Sequence, residues 1–329
     1  MSEYRIRLTI LLLITVLPWQ VGIISADTWR LQQGNEIESI SPQGQDRFMW
    51  EVAEIKKLVN SGQAKAAREA FDKLKKDHPD IAGPDFDAFI EAEILFCEGK
   101  FTKAVRTYDK LLIKFPQSQL TEAALSRQFE IATAFLAGRK VRVLRFFKIK
   151  GYDTGAKIME RITDKASDSS IGINASVSVA KNYEKRKKFN EAYLKWQDIS
   201  IQWKSGQTAR DSLLAMARCK HSVYNSHPEH KRPMYDASCL NSAKTYYERF
   251  KSQYQEDARK IGADKILKEI NEQQAYKQYT IGKYYEKTGN RQAANLYYDM
   301  VLRQWPGSNA AEMSRQILSP GSVSEEINK

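Results

Sequence analysis

Between Phe48 and Leu318 the hydrophobic positions fall three and four residues apart, the spacing of one helix face, in paired segments separated by short polar turns. The pair at Ala275–Ser308 is the clearest. Gly282 is small, Tyr284 and Tyr285 are aromatic, Gly289 marks a turn, Ala294 is small, Tyr298 is aromatic and Pro306 closes the second segment. These residue types have a steric rationale. Antiparallel helices approach to about 8–10 Å only where side chains are small, so Gly282 and Ala294 mark the crossing, and Tyr285 and Tyr298 fill the space beside it. Gly289 suits the left-handed turn that ends a helix, and Pro306 cannot continue one.

The same slots recur upstream. Ala92, Gly99, Phe101, Ala104, Tyr108, Leu111 and Pro116 form one copy, and Ile55, Gly62, Ala67, Phe71, Leu74 and Pro79 an earlier one. Ala180, Tyr183, Phe189, Ala192, Trp196 and Ile199 form another, with Lys204 in the proline slot. Two pairs are split. Ala132 and Phe135 open a hairpin whose second helix begins near Tyr152, and Ala217 opens one that resumes at Asp236 with Ala243, Tyr247 and Phe250. A small–aromatic–glycine–small–aromatic–proline order over roughly 34 residues is the tetratricopeptide pattern. The sequence therefore predicts an all-α fold, a right-handed tetratricopeptide superhelix (α-solenoid) of about six helical hairpins, since one hairpin alone cannot bury its apolar face.

Composition narrows the surroundings more than the fold. The formal charge is +12, compatible with acidic proteins, anionic lipid or nucleic acid, but the basic residues are dispersed over helix faces. Cys97, Cys219 and Cys239 make no disulfide framework. Cys219 and Cys239 fall on the two helices of one split hairpin, where an oxidising compartment would let them pair if their backbones approach closely enough. Arg5 and Arg7, the apolar run Leu8–Leu17 and Ala26 before Asp27 follow the order of a secretory signal peptide. Cleavage there and retention as an anchor reaching Ile24 both remain open. No cysteine follows the run to serve as a lipoprotein attachment point. The expected organisation is a signal over 1–26, a linker or small leader over 27–47, a solenoid over 48–318 with inserts near 138–151 and 226–235, and a tail over 319–329.

Candidate binding residues come from the first helix of each pair, which lines the concave surface in this architecture. The N-terminal positions are apolar: Met49, Val52, Phe86, Phe89, Phe96 and Phe129. A stripe at helical spacing is more often core than groove, but Ala92, Leu95, Ala104 and Tyr108 already supply a core, so the phenylalanines point to an extended apolar peptide as ligand. At the C-terminal end the positions are Tyr276, Tyr279, Lys283, Glu286 and Lys287, a different chemistry that suits a second partner. In the insert, Arg142, Arg145, Phe146, Phe147 and Lys148 interleave charge with apolar side chains, as in segments that lie on anionic membranes. The alternative is a basic loop whose apolar residues tuck under the solenoid. His221, His227 and His230 between Cys219 and Cys239 match no structural zinc spacing. No nucleophile motif, phosphate loop or paired catalytic carboxylates appear, so the reading is a protein-binding scaffold with no enzyme activity, no cofactor, no metal and no nucleic-acid partner.

Gln274–Pro306 with Gly307, Ser308, Ala310, Ala311 and Glu312, together with Phe115-Pro116-Gln117-Ser118, resembles the BamD (YfiO-like) family, the tetratricopeptide component of the outer-membrane β-barrel assembly machine. The resemblance implies a periplasmic scaffold associated with the outer membrane. Its N-terminal repeats would engage unfolded outer-membrane proteins through Phe86, Phe89 and Phe96. Its C-terminal repeats would dock a barrel-assembly subunit through Tyr279, Lys283 and Glu286. Two departures are the missing lipobox cysteine and about one hairpin more than the family's usual five. The alternative is another exported adaptor of the cell envelope, serving cell-wall or trans-envelope complexes.

Overall fold

The computed structural model describes residues 42–142 and 147–319. The signal-peptide reading, most of the leader, the tail beyond Ser319, and Arg145 and Phe146 lie outside the described residues. Among those described, no helix is long and apolar enough to cross a membrane.

Two compact units divide at His78 and Pro79. The first holds one hairpin, α1 (Pro42–Asn60) and α2 (Ala64–Asp77), so helix already begins within the stretch read as leader. Ile55, Val59, Ala67, Phe71 and Leu74 are its buried core. Its open end is tied by His78, which meets Glu51 at 3.1 Å and the edge of Phe48 at 5.0 Å between ring centres.

The second unit runs α3 (Pro84–Cys97), α4 (Phe101–Lys114), α5 (Thr121–Leu136), β1 (Lys140–Arg142), β2 (Lys148–Lys150), α6 (Tyr152–Lys165), α7 (Ser170–Lys185), α8 (Phe189–Gln202) and α9 (Gly206–Asn225). It continues with a 3-10 turn over Glu229–Met234, α10 (Ser238–Gln253), α11 (Gln255–Lys260), α12 (Ala263–Lys287), α13 (Arg291–Gln304) and α14 (Asn309–Leu318). From α3 to α10 each helix packs on the next, α10 passes on to α12, and α13 and α14 close the row. Both split hairpins are as expected: α5 pairs with α6 across the 138–151 insert, and α9 with α10 across the 226–237 connection.

The small and aromatic slots explain the packing. Ala92 and Ala104, Ala180 and Ala192, and Gly282 and Ala294 are buried where paired helices cross, and Tyr108, Trp196 and Tyr298 are fully buried beside them. At Gly282 even one methyl group would sit 2.6 Å from the ring of Tyr298, so no side chain fits. The turns follow the same logic. Gly99 and Gly289 take positive φ, whereas α7 ends at a lysine: Lys187 is the one non-glycine residue at positive φ among those described (58°), a conformation costing an L-residue about 1–2 kcal/mol.

Candidate protein-binding faces

Three hairpins carry the same polar joint inside this apolar frame. A carboxylate on the first helix accepts from an aromatic donor on the second: Glu93 from the Tyr108 hydroxyl, Glu184 from the Trp196 indole at 2.6 Å, and Glu286 from the Tyr298 hydroxyl at 3.2 Å. In two of them an arginine from the next hairpin completes it. Arg127 reaches Glu93 through Nε at 2.9 Å and Nη2 at 2.7 Å, and Arg218 reaches Glu184 at 2.8 and 2.9 Å. Both bidentate pairs span 34 residues, one repeat, so each staples a hairpin to its successor. Glu286 is paired instead within α12, by Lys283.

The joint opens along the chain. The carboxylate side chain is 5% exposed at Glu93, 16% at Glu184 and 35% at Glu286. At the closed end, burial and the Glu93 charge push the Tyr108 phenol far above its usual range. Burial alone would lower the pKa of Arg127, but its bonds to Glu93 outweigh this and raise it. Arg127 is therefore held as a cation. At the open end burial and Glu286 raise the Tyr298 phenol too, while Glu286 and Lys283 themselves stay within reach of solvent.

The expected apolar groove is divided. Phe86 is closed into the core, because its turn of α3 faces the packing side. Phe89, Phe96 and Phe129 are half-buried against the same core: Phe89 meets Tyr108 edge-on at 5.9 Å, and Phe96 meets Phe101 at 5.3 Å with the Arg127 guanidinium 4.3 Å above its ring. In the first unit Met49 is exposed and Val52 half-buried, and Trp50, which the repeat pattern did not single out, is more exposed than either.

The C-terminal set is brought together on one helix. Tyr276 is exposed and stacks on Tyr279 at 6.1 Å, Tyr279 leans on Tyr298, and Lys283, Glu286 and the exposed Lys287 continue along the last turns of α12. Tyr284 is also exposed, on another side of α12, where its ring meets the edge of Tyr285 at 5.6 Å. Of the insert residues, Arg142 lies in β1, Lys148 begins β2, and Phe147 and Lys148 are exposed.

No family model matches the chain, and no curated protein matches it. Among solved structures it is similar to the C-terminal part of a tetratricopeptide protein from Cytophaga hutchinsonii (14% identity, 81% of this chain and 98% of that one, TM-score 0.32). It is also similar to a tetratricopeptide protein from Parabacteroides merdae (13%, 83% and 98%, TM-score 0.30) and to PilW, a type IV pilus biogenesis factor (17%, 81% and 97%, TM-score 0.28). The assignment of fold rests on the hairpins themselves. The chain is an all-α tetratricopeptide solenoid.

The histidines and cysteines of the fifth hairpin stay apart in role. His221 is buried on α9, its pKa lowered by burial, with ring Nε2 3.2 Å from Gln273 and 3.1 Å from Asn225. His227 stacks on Tyr235 at 3.6 Å and His230 is exposed. Cys97, Cys219 and Cys239 form no disulfide with one another, and burial raises the Cys219 thiol to about 12. Among the described residues no His, Cys, Asp or Glu group is arranged to hold a metal ion.

Proposed function

We propose that this protein is a non-catalytic scaffold exported to the cell envelope, acting at the outer membrane in the manner of BamD. In this reading the N-terminal hairpins take extended apolar segments of unfolded β-barrel proteins, and the exposed face of α12 docks a subunit of the barrel-assembly machine. The observation that carries the proposal is that face: Tyr276, Tyr279, Lys283, Glu286 and Lys287 stand in one accessible row, with the carboxylate that earlier hairpins seal left open. Stacked tyrosines beside a mixed pair of charges make a surface suited to a protein, since aromatic anchors supply area and charges supply register. Periplasmic location is supported by the order of basic, apolar and small residues over 1–26.

The test is crosslinking of the intact chain in its native envelope, followed by identification of what is captured. The reading expects a barrel-assembly subunit that is lost with Lys283→Glu, and unfolded barrel proteins that are lost with Met49→Ser/Trp50→Ser. Recovery of cell-wall or trans-envelope proteins, with no barrel-assembly subunit, would replace it by the other adaptor role.

A further inference from the structure

The insert between α5 and α6 forms a ribbon whose composition is hard to explain as packing. β1 and β2 are antiparallel, and their register sets Lys140 opposite Lys150, Val141 opposite Ile149 and Arg142 opposite Lys148. Two of the three cross-strand pairs are therefore cation against cation, and like charges placed directly opposite destabilise a sheet. A two-stranded ribbon is marginal even without that penalty. No acidic residue occurs between Gly138 and Tyr152 to offset it.

The base of the ribbon is nonetheless well held. The Gly151 N–H donates to the Arg139 carbonyl at 2.9 Å, Val141 packs on the core, the Arg139 guanidinium covers Phe101 at 4.4 Å, and Asn182 of α7 donates to the Leu136 carbonyl at 2.7 Å. Beyond this base the side chains of Phe147 and Ile149 are 66% and 57% exposed, with Lys148 and Lys150 exposed beside them. An anchored ribbon thus projects both cations and unburied apolar groups, with the Lys150 ammonium 5.7 Å from the ring centre of Tyr152 at the start of α6.

We propose that this ribbon is a contact site for an anionic lipid surface. Lipid phosphates would neutralise the paired cations, removing the repulsion built into the register, and Phe147 and Ile149 would enter the boundary between headgroups and acyl chains. The two exposed apolar residues favour a membrane over a soluble polyanion, which would satisfy the charges alone. The site lies on a different element from the α12 face and needs no protein partner, so it stands or falls separately from the scaffold reading.

The experiment is hydrogen–deuterium exchange of the full chain, with vesicles of equal parts phosphatidylglycerol and phosphatidylcholine, and with phosphatidylcholine alone. Exchange is followed in peptides covering Phe147–Lys150, and binding by co-sedimentation. Protection of that segment by the anionic vesicles alone, weakened by added salt, is the expected result. Each lysine near the surface contributes about a fivefold gain in partition, so Lys148→Gln/Lys150→Gln should lower the ribbon-dependent partition about 25-fold while the thermal midpoint is unchanged or raised. Phe147→Ser should weaken protection at unchanged charge. Sedimentation with unchanged exchange over Phe147–Lys150 would place membrane contact elsewhere in the chain and overturn the proposal. Protection by heparin but not by vesicles would overturn it in favour of a soluble polyanion.

Discussion

The hairpin α3/α4 and the hairpin α12/α13 are built on one plan and put it to different ends. Each has a tyrosine on its second helix donating to a glutamate on its first. At α3/α4 the glutamate meets a bidentate arginine from the following hairpin and is sealed. At α12/α13 the cation is a lysine one turn away on the same helix, and the pair remains a third open to water. A repeat protein can therefore turn a structural joint into a presentable charge by omitting the next hairpin's contribution, without altering the hairpin itself. Between the two, Glu184 with Arg218 marks an intermediate stage, since the carboxylate is mostly covered while the arginine is half exposed.

The comparison makes graded predictions. Arg127→Ala should be the most damaging, because it strands a buried carboxylate; breaking one side of such a pair costs about 3–5 kcal/mol, read as a lower urea midpoint. An effect below that of Arg218→Ala would show that the closed joint is not closed. Gly282→Val tests the other end by overpacking. With a Cβ 2.6 Å from the fully buried Tyr298 ring, a loss of about 1–3 kcal/mol is expected, together with altered near-ultraviolet circular dichroism as the stacked tyrosines shift. Lys187→Gly should raise stability by about 1 kcal/mol by relieving the left-handed turn, visible as a higher thermal midpoint. Arg218→Ala should cost about 1 kcal/mol, since one partner is half exposed. Lys283→Ala should cost less, about 0.3–0.5 kcal/mol, as expected for a surface pair on one helix, yet abolish capture of the α12 partner. A large stability loss there would recast Lys283 as structural.

Much of this was legible in the sequence. The small and aromatic slots are local and follow helical spacing, so Ala92, Ala104, Tyr108, Gly282, Ala294 and Tyr298 announced their packing, and the split hairpins could be rejoined across inserts. The arginine staples were missed because their partners lie on different hairpins, although the 34-residue interval of Glu93–Arg127 and Glu184–Arg218 equals the repeat length and could have been searched for. The turn at Lys187 was invisible because glycine is the usual signal for it. The ribbon's alternation of cations with Val141 and Ile149 is a strand pattern, but each strand is only three residues long, too short to tell a ribbon from a basic loop. Among the candidate binding residues, the α12 set shares one helix, which helical spacing alone predicts. Phe86 was not separable from its neighbours, because which side of α3 faces the core depends on how α4 and α5 pack against it.

The 34-residue staples also bear on how such a chain can change over generations. If hairpins were lost or copied along their obvious boundaries, from turn to turn, a cut between α4 and α5 would part Glu93 from Arg127 and leave an ion buried without its counterion. A viable copying event here has to carry the carboxylate of one hairpin together with the guanidinium of the next. The staple is thus out of phase with the visible hairpin: it runs from within α3 to within α5 and crosses the turn between α4 and α5.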